Sequence, residues 1–302
     1  MKLSEALSRD ELRAFSKSSD LKGGLLVAGN IAILAGAFAL AAFFPNPLTI
    51  AAALLLIAGR QLGFAIILHE CAHESLFETK SFNRAVGKWL AQGLTDVPLD
   101  GYRAYHLNHH RHAGTPDDPD IPLVKGYPAD PASMRRKFTR DLTGQTAFKE
   151  FLSSVKRATW EDKAPVFAAH VVMLAILALA GAAWTYLLWW VARIFLLPAF
   201  MRLRIIGEHG VATNILSTDP RDNTHTTIPR WWERLTVAPN NVSYHLEHHM
   251  FAAVPSYNLP KLHRLLSERG YYRGKSCVTV GYPKVLKAAI ATVAPKPAAA
   301  AA

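Results

Sequence analysis

The chain alternates between long apolar runs and polar segments, and the apolar runs come in two pairs. The first pair comprises Leu25–Phe44 and Leu48–Leu68, which are separated by a Pro-Asn-Pro turn. The second pair comprises Pro165–Gly181 and Ala182–Met201, with a break expected between them. About 20 residues of helix extend ~30 Å, which is the thickness of a hydrocarbon core. The pattern therefore predicts four transmembrane helices in two hairpins.

The positive charges indicate how these predicted spans are oriented. Only Arg60 and Arg193, of the 34 Lys and Arg residues, lie inside apolar runs, and the short connection within each pair carries none. Because basic residues concentrate on the cytoplasmic side, we expect a multi-pass protein of the inner cell membrane with both termini in the cytoplasm. The net charge of +11 then reflects topology and attraction to anionic headgroups. A nucleic-acid partner is not expected, because no nucleic-acid-binding motif is recognisable.

The ends of the chain and its cysteines add little further chemistry. Residues 1–22 are polar with mixed charge and predict a cytoplasmic segment, whereas the Ala- and Pro-rich residues 295–302 predict a disordered tail. Cys71 and Cys277 are far apart on the predicted cytoplasmic face, so we expect free thiols. We interpret residues 1–302 as one membrane domain.

Eight of the 13 histidines fall into three tight clusters. Residues three and four apart share one face of a helix, so each cluster presents its imidazoles together. Neutral imidazole is a common ligand for Fe, Zn, Cu and Ni, and eight imidazoles suit two metal ions better than one four-coordinate ion. The clusters are His69-Glu-Cys-Ala-His73 (box one), His106-Leu-Asn-His109-His110 (box two) and His245-Leu-Glu-His248-His249 (box three).

This order of one HxxxH and two HxxHH clusters resembles the membrane fatty acid desaturase and hydroxylase superfamily. The resemblance covers Arg60 to Leu266, and the segments Asn240–Phe251 and Tyr257–His263 are similar to its acyl-lipid desaturase branch. It implies an all-α integral membrane protein, with four transmembrane helices in two hairpins and a cytoplasmic helical cap that carries the histidine boxes. It also implies two Fe ions in a non-haem di-iron centre, with O2 as co-substrate.

The resemblance further implies a ninth ligand, from a histidine that follows the fourth span. His209, in Gly-Glu-His-Gly, is the best match, and His225 is the competing candidate. The three other histidines are expected to be structural: His112, His170 and His263. The implied metal ligands are His69, His73, His106, His109, His110, His209, His245, His248 and His249.

A di-iron centre of this kind points to one main activity and two alternatives. No side-chain acid or base can break an unactivated methylene C–H bond, so the cofactor must supply the oxidant. We expect a desaturase that introduces a double bond into a fatty acyl chain of a lipid. The same boxes occur in hydroxylases and ketolases of lipids, carotenoids or related hydrophobic substrates. A histidine-rich metal transporter is a distant alternative, because its ligands should lie within the spans.

The sequence indicates the class of the substrate and of the electron donor, but not their identities. Acyl-CoA desaturases have a longer first box and an Asn four residues before the extra histidine, where this chain has Ile205. This difference favours a membrane lipid or carrier-bound acyl substrate. The chain carries no recognisable fused electron carrier, so we expect an external ferredoxin-like or cytochrome b5-like donor.

Two polar features each allow two interpretations. Asp117, Asp118 and Asp120 follow box two and either accept imidazole N–H groups or simply form a turn. Arg60 lies nine residues before His69, which corresponds to ~13 Å of helix. Its side chain either pairs with a polar group of the bundle or the substrate, or extends to a membrane interface.

Overall fold

The computed structural model describes residues 3–157 and 159–291, so the tail predicted at residues 295–302 lies outside the described part. The helices in this part are α1 (Leu3–Ala6), α2 (Arg9–Phe15), α3 (Asp20–Phe43), α4 (Pro47–His73), α5 (Lys80–Ala85), α6 (Gly93–Thr95), α7 (Leu99–His112), α8 (Ile121–Val124), α9 (Pro131–Leu142), α10 (Gln145–Arg157), α11 (Trp160–Leu179), α12 (Tyr186–Phe195), α13 (Leu197–Ile205), α14 (Pro220–Asn223), α15 (His245–Met250), α16 (Leu259–Glu268) and α17 (Tyr282–Ala288). Two π-helical turns, Val86–Gln92 and Ile206–Gly210, follow α5 and α13. Short 3-10 turns cover Ala183–Thr185, Glu233–Leu235 and Pro239–Asn241.

The first apolar pair folds into helices α3 and α4, which pack against each other. The Asn46 side chain accepts hydrogen bonds from the backbone N–H groups of Leu48 and Thr49 and so caps α4, with Pro47 at its first position. Helix α4 continues past the predicted run to His73 and ends at Glu74 in the left-handed conformation. Box one therefore stands on the same helix as the apolar span, at its carboxyl end.

The second apolar pair is less regular than the sequence pattern predicts. Helix α11 ends before Gly181, which turns the chain with φ +69°. The fourth run is not one continuous helix, because α12 and α13 are bent by 40°. Pro198, at the start of α13, has no N–H to donate and its ring excludes a regular preceding turn. Within the described residues three helices are long and apolar enough to span a membrane (α3, α4 and α11), or four if the bent pair forms one span.

The described chain also contains two short strands, so the all-α expectation is wrong in this detail. Strands β1 (Thr226–Ile228) and β2 (Val278–Val280) pair in parallel. All six residues are β-branched, which suits a pleated surface better than a helix. The pairing joins the segment before box three to the segment before α17.

Apolar packing differs between the inside and the outside of the helical bundle. The largest core cluster joins α4 to α12 and includes Ile57, Leu62, Phe64 and Trp189, all fully buried. On the outside, Leu179 is 90% exposed, as expected where apolar side chains face lipid. A second cluster packs α1 and α2 against α16.

Candidate metal centre

The three histidine boxes meet at the carboxyl end of α4. Box one ends α4, box two lies on α7 and box three forms most of α15. The His69 ring lies 4.5 Å from the His106 ring and 4.4 Å from the His248 ring, measured between centroids. Residues far apart in sequence are therefore in direct ring contact.

The nine predicted site residues come together as two adjoining groups. In each group, one nitrogen from every ring lies within 4.8 Å of the others. The rings of His110 and His249, from different groups, stack with centroids 4.3 Å apart. The five-histidine group contains His69, His73, His106, His110 and His248, and the four-histidine group contains His109, His209, His245 and His249.

The two candidates for the ninth position lie in different surroundings. The second π-helical turn carries His209 into the four-histidine group, with its Nε2 atom 3.1 Å from Nε2 of His245. His225 is buried outside both groups, and its backbone N–H donates to the Glu208 carbonyl at 2.8 Å. The fold therefore places His209, rather than His225, among the clustered imidazoles.

Several rings are oriented by oxygen atoms of neighbouring residues that contact their Nδ1 atoms. Nδ1 of His109 lies 2.7 Å from Oδ1 of Asp118, and Nδ1 of His69 lies 3.2 Å from Oε1 of Glu70. Nδ1 of His209 lies 3.1 Å from the Asn223 carbonyl oxygen. A ring that donates its Nδ1–H in this way leaves the Nε2 lone pair free for a metal. Of the two interpretations of the acidic loop, the one in which an acid contacts an imidazole is correct for Asp118.

The Nε2 atoms converge inside each group. Four pairs of Nε2 atoms lie 3.0–3.2 Å apart: His106 with His110, His110 with His248, His109 with His249, and His209 with His245. The Nε2 atoms of His69 and His73 are buried with no hydrogen-bond partner among the described residues. Buried nitrogen acceptors that face one another are stabilised by a shared cation, so the donor set fits a metal ion in each group.

Burial also favours the neutral ring that a metal requires. Burial lowers the pKa of His106, His110, His245, His248 and His249. Burial acts in the same direction on His109, but the carboxylates of Asp118 and Asp120 outweigh it and raise the pKa of that ring. Most of these imidazoles are therefore neutral near pH 7 and can offer a lone pair.

The arginines inside the apolar runs bind protein groups. Arg60 is only 3% exposed, and its guanidinium donates to the Asn30 side chain at 3.2 Å and to the Arg234 carbonyl at 3.0 Å. The interpretation in which Arg60 pairs with polar groups of the bundle is therefore correct. Arg193 donates to the Thr95 carbonyl at 2.6 Å.

Sequence reasoning missed several polar partners of the clustered rings. Glu70 lies within box one, and Glu208 precedes His209 with its Oε1 3.6 Å from Nδ1 of His245. Arg204 donates to the same oxygen at 2.7 Å, forming a buried ion pair. In the sequence, each of these acids stands next to a candidate ligand. The spacing of the histidines alone does not show that such a neighbour contacts a ring.

Comparison with known proteins identifies relatives that are named as lipid, fatty acid and sphingolipid desaturases. The sn-1 oleoyl-lipid 12-desaturase of Synechocystis sp. is 24% identical over 232 residues, covering 68% of this chain and 65% of the relative. The chloroplastic omega-6 fatty acid desaturase of Spinacia oleracea is 27% identical over 239 residues, covering 70% and 52%. The human sphingolipid delta(4)-desaturase/C4-monooxygenase is 26% identical over 219 residues, covering 68% and 62%.

The alignments cover only part of the length of these relatives. The chain matches only 65%, 52% and 62% of the length of these three proteins, respectively. The family model for fatty acid desaturase matches residues 45–281, which include all nine clustered histidines. This chain therefore belongs to the fatty acid desaturase family.

Proposed function

We propose that this protein is an O2-dependent desaturase that introduces a double bond into a fatty acyl chain of a lipid. The observation that carries the proposal is the pair of adjoining imidazole groups at the end of the apolar helix α4. We assign two Fe ions to these groups, with the nine clustered histidines as ligands. Several relatives are named as lipid or fatty acid desaturases, which supports this substrate class.

The described residues prepare a site for such a centre. When bound, iron supplies the O2 chemistry needed to break an unactivated C–H bond. The chain contributes nitrogen donors that burial keeps neutral, together with acceptors such as Glu70 and Asp118 that fix the ring orientations. Because α4 joins an apolar span directly to box one, an acyl chain lying between the helices would reach the centre from the membrane.

Two further assignments complete the proposal. The protein would lie in the inner cell membrane with both termini in the cytoplasm, as the distribution of basic residues indicates. Electrons would come from an external ferredoxin-like or cytochrome b5-like carrier that approaches from the aqueous side.

Hydroxylation of a related hydrophobic substrate is the second candidate. The name of the human relative includes both a desaturase and a monooxygenase activity, and both reactions begin with cleavage of a C–H bond. A metal transporter is disfavoured, because box one and His209 lie at the carboxyl ends of candidate spans, and boxes two and three lie outside the described spans.

Lipid mass spectrometry of cells with and without this protein tests the proposal. We expect an acyl product that has lost two hydrogen atoms, and we expect it to disappear with His248→Ala. His112→Ala is the matched control, because His112 follows box two but lies outside both groups. A product that has gained one oxygen atom would instead support the hydroxylase, and unchanged lipids alongside exchangeable zinc would support transport.

A further inference from the structure

Glu247 lies inside box three, but its side chain points away from the histidine groups. The carboxylate is fully buried and accepts a hydrogen bond from Oγ1 of Thr226 at 2.6 Å and from Nδ1 of His263 at 2.7 Å. The hydroxyl of Tyr272 donates to the same oxygen as His263. These donors come from strand β1, helix α16 and the turn after α16, so one carboxylate joins three elements to α15.

A buried carboxylate is stable only when its charge is compensated. Burial acts to raise the pKa of Glu247, but the bonds from His263, Thr226 and Tyr272 outweigh it and hold the pKa below its ordinary value. Three side-chain donors from different elements therefore converge on one buried carboxyl group and fix its position. Thr226 also accepts the backbone N–H of Leu246 at 3.2 Å, which adds a direct link to the box-three backbone.

Helix α16 is itself held firmly, so it can act as a fixed support. Asn258, just before α16, donates to the Phe15 carbonyl at 2.8 Å, and Arg269, just after it, pairs with Glu11 at 2.6 Å. The apolar side of α16 packs on α1 and α2. The backbone N–H of Ser256 donates to Oε2 of Glu70 at 2.7 Å, so the same segment also contacts box one.

Box three is the cluster whose position matters to both groups. His248 belongs to the five-histidine group, whereas His245 and His249 belong to the four-histidine group. The six-residue helix α15 is too short to be stable without tertiary contacts. A small rotation of α15 would therefore move ligand atoms in both groups at once.

We propose that Glu247 is a positioning residue, which acts through His263 and Tyr272 to fix α15 and so hold the box-three imidazoles in both metal sites. This inference rests on the proposed metal centre. It gives the buried His263, which sequence reasoning treats as structural, a defined role behind the metal ligands.

The rate of iron release to a chelator tests the inference without requiring turnover. The full-length protein is purified in detergent, loaded with iron and assayed well below its unfolding temperature. Loss of an outer hydrogen-bond partner lowers metal affinity or activity by ~10–100-fold. Because Glu247 bonds to no ligand ring directly, we expect Glu247→Gln to lie at the lower end of this range and to release iron ~10-fold faster, with a lower kcat and an unchanged KM.

Substitutions of His263 separate positioning from general stability. His263→Ala should release iron quickly, whereas His263→Asn should restore much of the wild-type rate, because its amide N–H group can donate near the Nδ1 position. Glu268→Gln, which changes an exposed carboxylate on the same helix, is the matched control and should behave as wild type.

The outcomes distinguish this inference from the proposed function. Wild-type iron release in Glu247→Gln, or equal release in His263→Asn and His263→Ala, would overturn the positioning role even if the lipid product still forms. Conversely, faster release in Glu247→Gln from a protein that makes no double bond would support the positioning role and refute the desaturase.

Discussion

The five-histidine and four-histidine groups adjoin each other but are built differently. The five-histidine group takes its rings from all three boxes, and Glu70, 3.2 Å from His69, is the carboxylate in contact with it. The four-histidine group has fewer rings and a more acidic surround. Asp118 lies 2.7 Å from His109, Asp120 lies 3.7 Å from the same ring, and Glu208 lies 3.6 Å from His245.

With the metal centre proposed above, the two groups would represent two ways to prepare a buried cation site. The five-histidine group offers an additional neutral donor, and the four-histidine group has the carboxylates of Asp118 and Asp120 behind His109. Carboxylates behind imidazole ligands make the rings more basic and offset the charge of the ion. We therefore expect the two positions to respond differently when a ring or an acid is removed.

Removal of one box histidine should have the largest effect. His73→Ala leaves four rings in its group, whereas His249→Ala leaves three in the other. We expect both variants to lose all product, and His249→Ala to lose more iron, as measured by elemental analysis of the purified protein. Full activity in either variant would contradict the two-metal assignment, and equal iron loss would contradict the difference between the groups.

The next effect separates the two candidates for the ninth ligand. His209→Ala should lower both iron content and product, because its Nε2 faces Nε2 of His245. His225→Ala should be milder, since that ring is buried outside both groups. Iron content and lipid product are measured in parallel for both variants. The opposite ranking would mean that His225 reaches the metal and that His209 only packs beside it.

Much of this organisation could be predicted from local sequence. The apolar runs gave the positions of α3, α4 and α11, since the length and hydropathy of a span are local properties. The spacing of the boxes gave eight of the nine clustered rings, because ligands on one helix turn must lie three or four residues apart. The bend before α13 had a local signal in Pro198, which hydropathy alone does not detect, whereas the short parallel strands required tertiary packing that periodicity does not contain.

The sequence did not predict how the nine rings divide between the five-histidine and four-histidine groups. His109 and His110 are adjacent in box two but belong to different groups, as do His248 and His249 in box three. Neighbouring helical residues diverge by about 100°, so which group each ring joins depends on how α7 and α15 are oriented relative to α4. The roles of Glu70, Glu208 and Glu247 also depend on long-range contacts that spacing does not reveal.

The smallest effect should come from the acids around the four-histidine group. Asp118→Asn keeps the side-chain shape and an acceptor oxygen for His109 but removes the negative charge. We expect ~10-fold weaker iron binding at this group, with the other group retaining its metal. Asp117→Asn is the matched control, because Asp117 is exposed one residue away and is absent from the clustered ligands. Iron titration of the two proteins measures the difference, and equal affinities would show that the acidic surround does not contribute to metal binding.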